Sequence, residues 1–112
     1  MVALKNQVWV ALLENRITGF LAIQQSHIDH LFVTPDCQRQ GVGTVLLNKA
    51  KELSPQGLFL YTFQKNSPAR RFYEKHGFKA VKYGVSRDEG EPDVYYEWSL
   101  VSPYSQRFAF RT

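Results

Sequence analysis

The residues best equipped for chemistry fall in three places. The first is the run Phe32-Val33-Thr34-Pro35-Asp36-Cys37-Gln38-Arg39-Gln40-Gly41-Val42-Gly43-Thr44, which reads as a strand, a short loop with two glycines, and a helix start. Glycines there let the backbone approach a ligand closely, and the unpaired N–H groups and dipole of the first helical turn favour an anion. A phosphate or pyrophosphate is the natural occupant; the plainer alternative is a tight strand-to-helix turn and nothing more. The second place is His27-Ile28-Asp29-His30, where a histidine can accept a proton near neutral pH. Alternation along a strand sets His27 and Asp29 on one face and His30 on the other, unless a bulge intervenes. The third is Phe72-Tyr73, where a phenol could donate a proton or a hydrogen bond, or where both rings could be core of an amphipathic helix.

Other chemistries find less support. The dinucleotide fingerprint requires a third glycine where Leu46 stands, and the Walker loop requires a Gly-Lys-Ser/Thr sequence that does not occur. Cys37 has no histidine–acid partner at a matched spacing, so a covalent acyl-enzyme is not expected. His27, His30, His76 and Cys37 show no recurring ligand spacing, so no metal site is expected.

Six strands and two helices must position these groups. Gln7 to Glu14, Ile17 to Gln25 and His27 to Thr34 read as strands, the first two joined by a turn at Asn15-Arg16. Val42, Val45, Leu46, Ala50 and Leu53 recur at helical spacing, and Ser54-Pro55-Gln56-Gly57 stops that helix. Leu58 to Phe63 is nearly all apolar, as in a strand covered on both faces. A second helix starts with Ser67 as N-cap and Pro68 at its first position, and ends before Gly77. Lys79 to Ser86 and Asp93 to Val101 are two further strands about a polar loop, Arg87 to Pro92. The order β-β-β-α-β-α-β-β makes an α/β domain of α+β type with a mixed, mostly antiparallel sheet. The domain spans residues 1–101, followed by a tail, 102–112, whose Tyr104, Phe108 and Phe110 suggest docking.

A chain of 112 residues suits one domain, and 44% hydrophobic with 21% charged residues describes an ordinary globular protein. No apolar stretch approaches the ~18 residues of a membrane span, so no membrane partner is expected. The single cysteine fits a reducing compartment, and a cytoplasmic location is expected. A net charge of +4 suits an anionic ligand. The densest basic spot, Arg70-Arg71 with Lys65 and Lys75, reads as a solvated helix face, so nucleic acid is not an expected partner.

Two motifs resemble those of the GNAT superfamily of acyl-CoA N-acyltransferases. Gln38-Arg39-Gln40-Gly41-Val42-Gly43 matches its Gln/Arg-x-x-Gly-x-Gly/Ala element, led into by Ile28 to Pro35. Asn66, Ala69, Phe72, Tyr73, Gly77 and Phe78 match a second element, Asn-x-x-Ala-x-x-Phe-Tyr-x-x-x-Gly-Phe. The resemblance covers roughly Val8 to Leu100 and implies acetyl-CoA as co-substrate. It sets CoA against Leu31, Phe32, Val33, Gln38, Arg39, Gln40, Gly41, Val42, Gly43 and Thr44, and against Asn66, Ala69, Phe72 and Tyr73. The pyrophosphate would rest on N–H groups of Arg39 to Thr44, with the pantetheine arm along Leu31 to Val33. The thioester would lie in a slot opposite Leu58 to Phe63, its carbonyl held by an N–H near Phe32 or Val33. Tyr73 would protonate the departing thiolate, while His27 and His30 are candidate bases in a family with no fixed one. The implied reaction moves an acetyl group to a primary amine of a small molecule or peptide by direct attack. A non-catalytic acyl-CoA-binding module is the alternative. Family members usually carry a strand and two helices ahead of the first strand seen here; without them the acceptor wall is expected from a homodimer partner or from the tail.

Overall fold

A computed structural model of the chain describes residues 6–100. The elements are β1 (Gln7–Leu13), β2 (Arg16–Gln24), β3 (His27–Val33), a 3-10 turn (Pro35–Cys37), α1 (Val42–Leu53), β4 (Leu58–Phe63), α2 (Ser67–Lys75), β5 (Lys79–Val85) and β6 (Pro92–Trp98). They form one six-stranded sheet in the order β1-β2-β3-β4-β6-β5. Every neighbouring pair is antiparallel except β3 and β4. Parallel strands cannot be closed by a hairpin, and α1 supplies the crossover between those two. This is the α+β architecture expected from the element order.

Both helices lie on one face of the sheet. Leu46, Leu47 and Ala50 of α1 and Tyr73 of α2 join a single buried cluster with Leu21, Ile23, Ile28, Leu58, Leu60, Val94 and Tyr96. At Gly19 the strand lies close under α1. A Cβ there would sit 2.5 Å from the Phe32 carbonyl oxygen and 3.1 Å from Leu46, so only glycine allows the approach.

Several expectations change in detail. The β1–β2 turn is Glu14-Asn15, with φ of 52° and 66°, and Arg16 already begins β2. Two left-handed residues in succession match the twist of a tight hairpin. In α1 the buried residues are Leu46, Leu47 and Ala50, whereas Val45 is 63% exposed. The expected stripe otherwise holds, with Val42 and Leu53 packed against the core and Leu47 taking the place of Val45. Ser67 is not the cap of α2: Asn66 is, its side chain accepting a hydrogen bond from the Ala69 N–H at 3.2 Å. Gly77, with φ of 92°, takes the left-handed turn after α2.

The strand Leu58 to Phe63 is covered on one face only. Leu58 and Leu60 are buried, while Tyr61 is 57% exposed on a face where no described helix packs. Arg70 is no solvated helix residue either. Its guanidinium donates to the hydroxyls of Tyr96 and Tyr83 at 3.0 and 2.9 Å. β6 ends at Trp98, with Ser99 and Leu100 outside the ladder, and the expected end at Val101 lies outside the described residues. The tail, residues 102–112, and its expected docking lie outside the described residues. No helix among the described residues is long and apolar enough to cross a membrane.

Candidate active site

The site begins where β3 and β4 part. The two parallel strands pair at a single position, His27 with Phe59, with the Phe59 N–H donating to the Ser26 carbonyl at 2.9 Å. Beyond that point each strand is fully paired on its outer side, β3 to β2 and β4 to β6. A wedge therefore opens in the middle of the sheet, widening toward α1.

The backbone groups facing the wedge follow from register. The Thr34 N–H donates to the Thr18 carbonyl on β2 at 2.9 Å. Backbone direction alternates along a strand, so Phe32 also bonds toward β2, and Leu31 and Val33 turn their N–H and C=O groups to the wedge. Of the two N–H groups considered for the thioester oxygen, Phe32 is thus set aside and Val33 retained, with Leu31 beside it. The Gln38 amide reaches back and donates to the Val33 carbonyl at 3.3 Å, tying the loop to the wedge rim.

At the wide end the loop turns through two left-handed residues, Arg39 (φ 67°) and Gly41 (φ 87°). The Val45 N–H closes the first turn of α1 on the Gly41 carbonyl at 3.0 Å. The preceding N–H groups, Val42, Gly43 and Thr44, are the donors that a helix start leaves over. Gln40 is occupied locally, its side chain donating to the Asp36 carbonyl at 3.2 Å. Cys37 is buried in the turn before the loop, with the Arg16 guanidinium 3.4 Å from its sulfur.

α2 closes the helical side. Phe72 packs against Gly43, where a Cβ would meet its ring at 3.2 Å. Ala69 and Phe72 rest on the core, and Asn66 is engaged as the helix cap. Tyr73 stands edge-on to Phe78, 5.4 Å between centroids, and is 8% exposed. Its hydroxyl makes no hydrogen bond to the described residues, and burial pushes the phenol up to about 12. The phenol is therefore protonated throughout the neutral range: a donor, not a base.

The two histidines of β3 lie on the opposite, helix-free face. Strand β3 carries a bulge at Asp29: Ile23 pairs with Ile28 and Ala22 with His30. The extra residue breaks the alternation that separated the histidines and places both on the same face. His27 stacks on Phe59, centroids 4.7 Å apart at 2°, with its Nδ1 3.3 Å from an Asp29 carboxylate oxygen. Phe59, Tyr61 and Tyr95 continue this face as contacting rings. They floor a groove of about 820 Å³ edged by Lys82, Arg87 and Asp93. Sequence reading placed His27 and Asp29 on one face, as found, but missed the Phe59–Tyr61–Tyr95 surface, because it depends on cross-strand neighbours. The one available signal was that Phe59 and Tyr61 alternate.

The site thus consists of an open central wedge, a left-handed loop before a helix start, and a buried phenol on the helix-covered face of the same sheet. The chain belongs to the GNAT acetyltransferase domain family, whose model matches residues 5–80. Among similar proteins is the peptidyl-lysine N-acetyltransferase YjaB of Salmonella typhimurium, 36% identical over 86 residues, which are 76% of this chain and 59% of that protein. The solution structure of apo YjaB from Escherichia coli superposes with a TM-score of 0.74 at 32% identity, covering 81% of this chain and 63% of that one. A Bacillus anthracis protein assigned as a streptothricin acetyltransferase, solved with acetyl coenzyme A, gives 0.78 at 25% identity over 85% of this chain and 62% of that one. The chain spans about three-fifths of the length of the YjaB relatives it matches.

Proposed function

We propose that this protein transfers an acetyl group from acetyl-CoA to a primary amine by direct attack, with a peptide lysine or a small-molecule amine as acceptor. The observation that carries the reading is the wedge between β3 and β4, whose free backbone edge leads to the N–H groups of Arg39 to Thr44. The pantetheine arm would add to the Leu31–Val33 edge as an extra strand, and the pyrophosphate would rest on the loop. The Leu31 or Val33 N–H would hold the thioester oxygen as it takes on charge, and the Tyr73 phenol would meet the departing sulfur. Phe72 shapes the loop from behind.

The amine would approach over the helix-free face, where His27, oriented by Asp29, is the favoured proton acceptor and His30 the neighbouring one. Phe59, Tyr61 and Tyr95 would line its path. Val10, Phe32 and Tyr61 are exposed on that face, which also supports a homodimer across it, while the single cysteine supports a cytoplasmic location. The test is a thermal-shift titration with acetyl-CoA followed by thiol release on lysine peptides and a panel of small amines. Stabilisation and thiol release are expected, with Tyr73→Phe keeping the first and losing the second. Stabilisation with no thiol release for any amine would favour the binding-module alternative, and no stabilisation at all would end the reading.

A further inference from the structure

His76 joins the two helices at the CoA loop. It follows the last residue of α2, and its Nδ1 lies 2.8 Å from the Phe72 carbonyl oxygen. Its Nε2 lies 3.1 Å from the hydroxyl of Thr44, in the first turn of α1. A carbonyl oxygen can only accept, so Nδ1 carries a proton. In the neutral ring Nε2 is then a lone pair, and Thr44 must give its single hydroxyl proton to it. The hydroxyl so engaged keeps only lone pairs, which repel an anion. When His76 takes a second proton the bond reverses. Nε2–H donates to Thr44, whose own proton is released to point at a phosphate oxygen, and a positive charge now stands behind the helix start.

Resting on the CoA reading above, we propose that His76 is a positioning residue whose protonation turns the Thr44 hydroxyl into a phosphate donor, so that CoA binds with uptake of a proton and more tightly as pH falls. The surroundings leave this response to His76 itself. From α1, Lys51 donates to the His76 backbone carbonyl at 3.1 Å and lies over the Trp98 ring. From α2, Glu74 is turned to the Tyr96 hydroxyl and toward Arg70, and Lys75 is exposed. From β6 the nearby group is Trp98, packed against Gly77. No described carboxylate pairs with the imidazole. The Phe72 ring, 4.5 Å from it between centroids, shields one face.

The experiment is calorimetric binding of dephospho-CoA between pH 8 and pH 6. That ligand lacks the terminal phosphate monoester, which would itself titrate in this range. Two buffers of different ionisation enthalpy count the protons. For the unaltered protein we expect affinity to tighten about three- to tenfold as pH falls, the scale of one improved hydrogen bond, with net proton uptake. His76→Gln and Thr44→Val should both flatten the pH dependence, and Thr44→Ser should keep it. A flat profile in the unaltered protein, or an undiminished slope in His76→Gln or Thr44→Val, overturns the proposal. Should His76→Gln not fold, as judged by thermal unfolding, the Thr44→Val and Thr44→Ser pair decides alone. Failure of folded protein to bind dephospho-CoA and acetyl-CoA at every pH would instead remove the CoA reading, and the proposal with it.

Discussion

The two faces of the sheet are built from the same strands and similar residues, yet one is a core and the other a surface. Leu21, Ile23, Leu60, Val94 and Tyr96 vanish under α1 and α2, while their neighbours Val10, Phe32 and Tyr61 on the far side stay about half exposed. Strand propensity is equal on both faces; what differs is whether a helix lies opposite. The covered face fixes the geometry of the wedge, the loop and Tyr73. The open face carries the histidines, the carboxylate of Asp29 and the aromatic groove. On the proposed function, binding of the acyl donor would depend on the packed core, and recognition of the acceptor on a surface whose residues bear little of the fold's stability.

The largest effect should come from the covered side. Leu47 is fully buried, and Leu47→Ala should cost about 2–5 kcal/mol in urea unfolding; Val10→Ala on the open face should cost no more than about 1 kcal/mol. Comparable losses would abolish the distinction. Next, Tyr73→Phe should lower kcat about 100-fold if the phenol serves the leaving sulfur, with the acetyl-CoA Kd unchanged within about twofold. A loss confined to Kd would reduce Tyr73 to packing.

Gly41→Ala follows. A Cβ at φ 87° meets no atom within 4 Å, so backbone strain is the whole cost, about 1–2 kcal/mol. Acetyl-CoA affinity should fall up to about tenfold with the acceptor KM unmoved. Tyr61→Ala should do the reverse, raising the acceptor KM a few-fold and sparing acetyl-CoA binding. Alkaline stability supplies the smallest effect. The Tyr73 phenol is raised from 10.0 to about 12 in the folded state. Its contribution is therefore fully present below pH 10 and lost as pH rises toward 12. Urea midpoints should decline over that window, and less steeply in Tyr73→Phe.

Much of the donor side was legible from residue types. Gly77 announced the turn that ends α2, Pro68 and the residues before it a helix start, and Gly41 with Gly43 a tight strand-to-helix turn, where Gly43 leaves room for the Phe72 ring. Local rules were less able to choose between adjacent residues. Asn66 caps α2 although Ser67 is an equally good capping residue, because the chain leaves β4 with Asn66 already outside the helix. Leu47, not Val45, enters the core because the helix phase is set by how α1 docks over Gly19. The acceptor side was nearly illegible. A single extra residue at Asp29 reverses which face His30 occupies, and nothing in His27-Ile28-Asp29-His30 marks a bulge that only pairing with β2 creates.

The sequence by itself determined the element order, the glycine-bearing loop that leads into a helix start and membership in the family, since these depend on residues close along the chain. Only the tertiary structure decided that β3 and β4 meet at one pair and then separate, that Leu31 and Val33 face the gap, and that both histidines share the open face. It also decided that Thr44 and His76, thirty-two residues apart, share a hydrogen bond. Register, splay and cross-helix contacts arise from packing between distant segments, and local spacing carries no record of them.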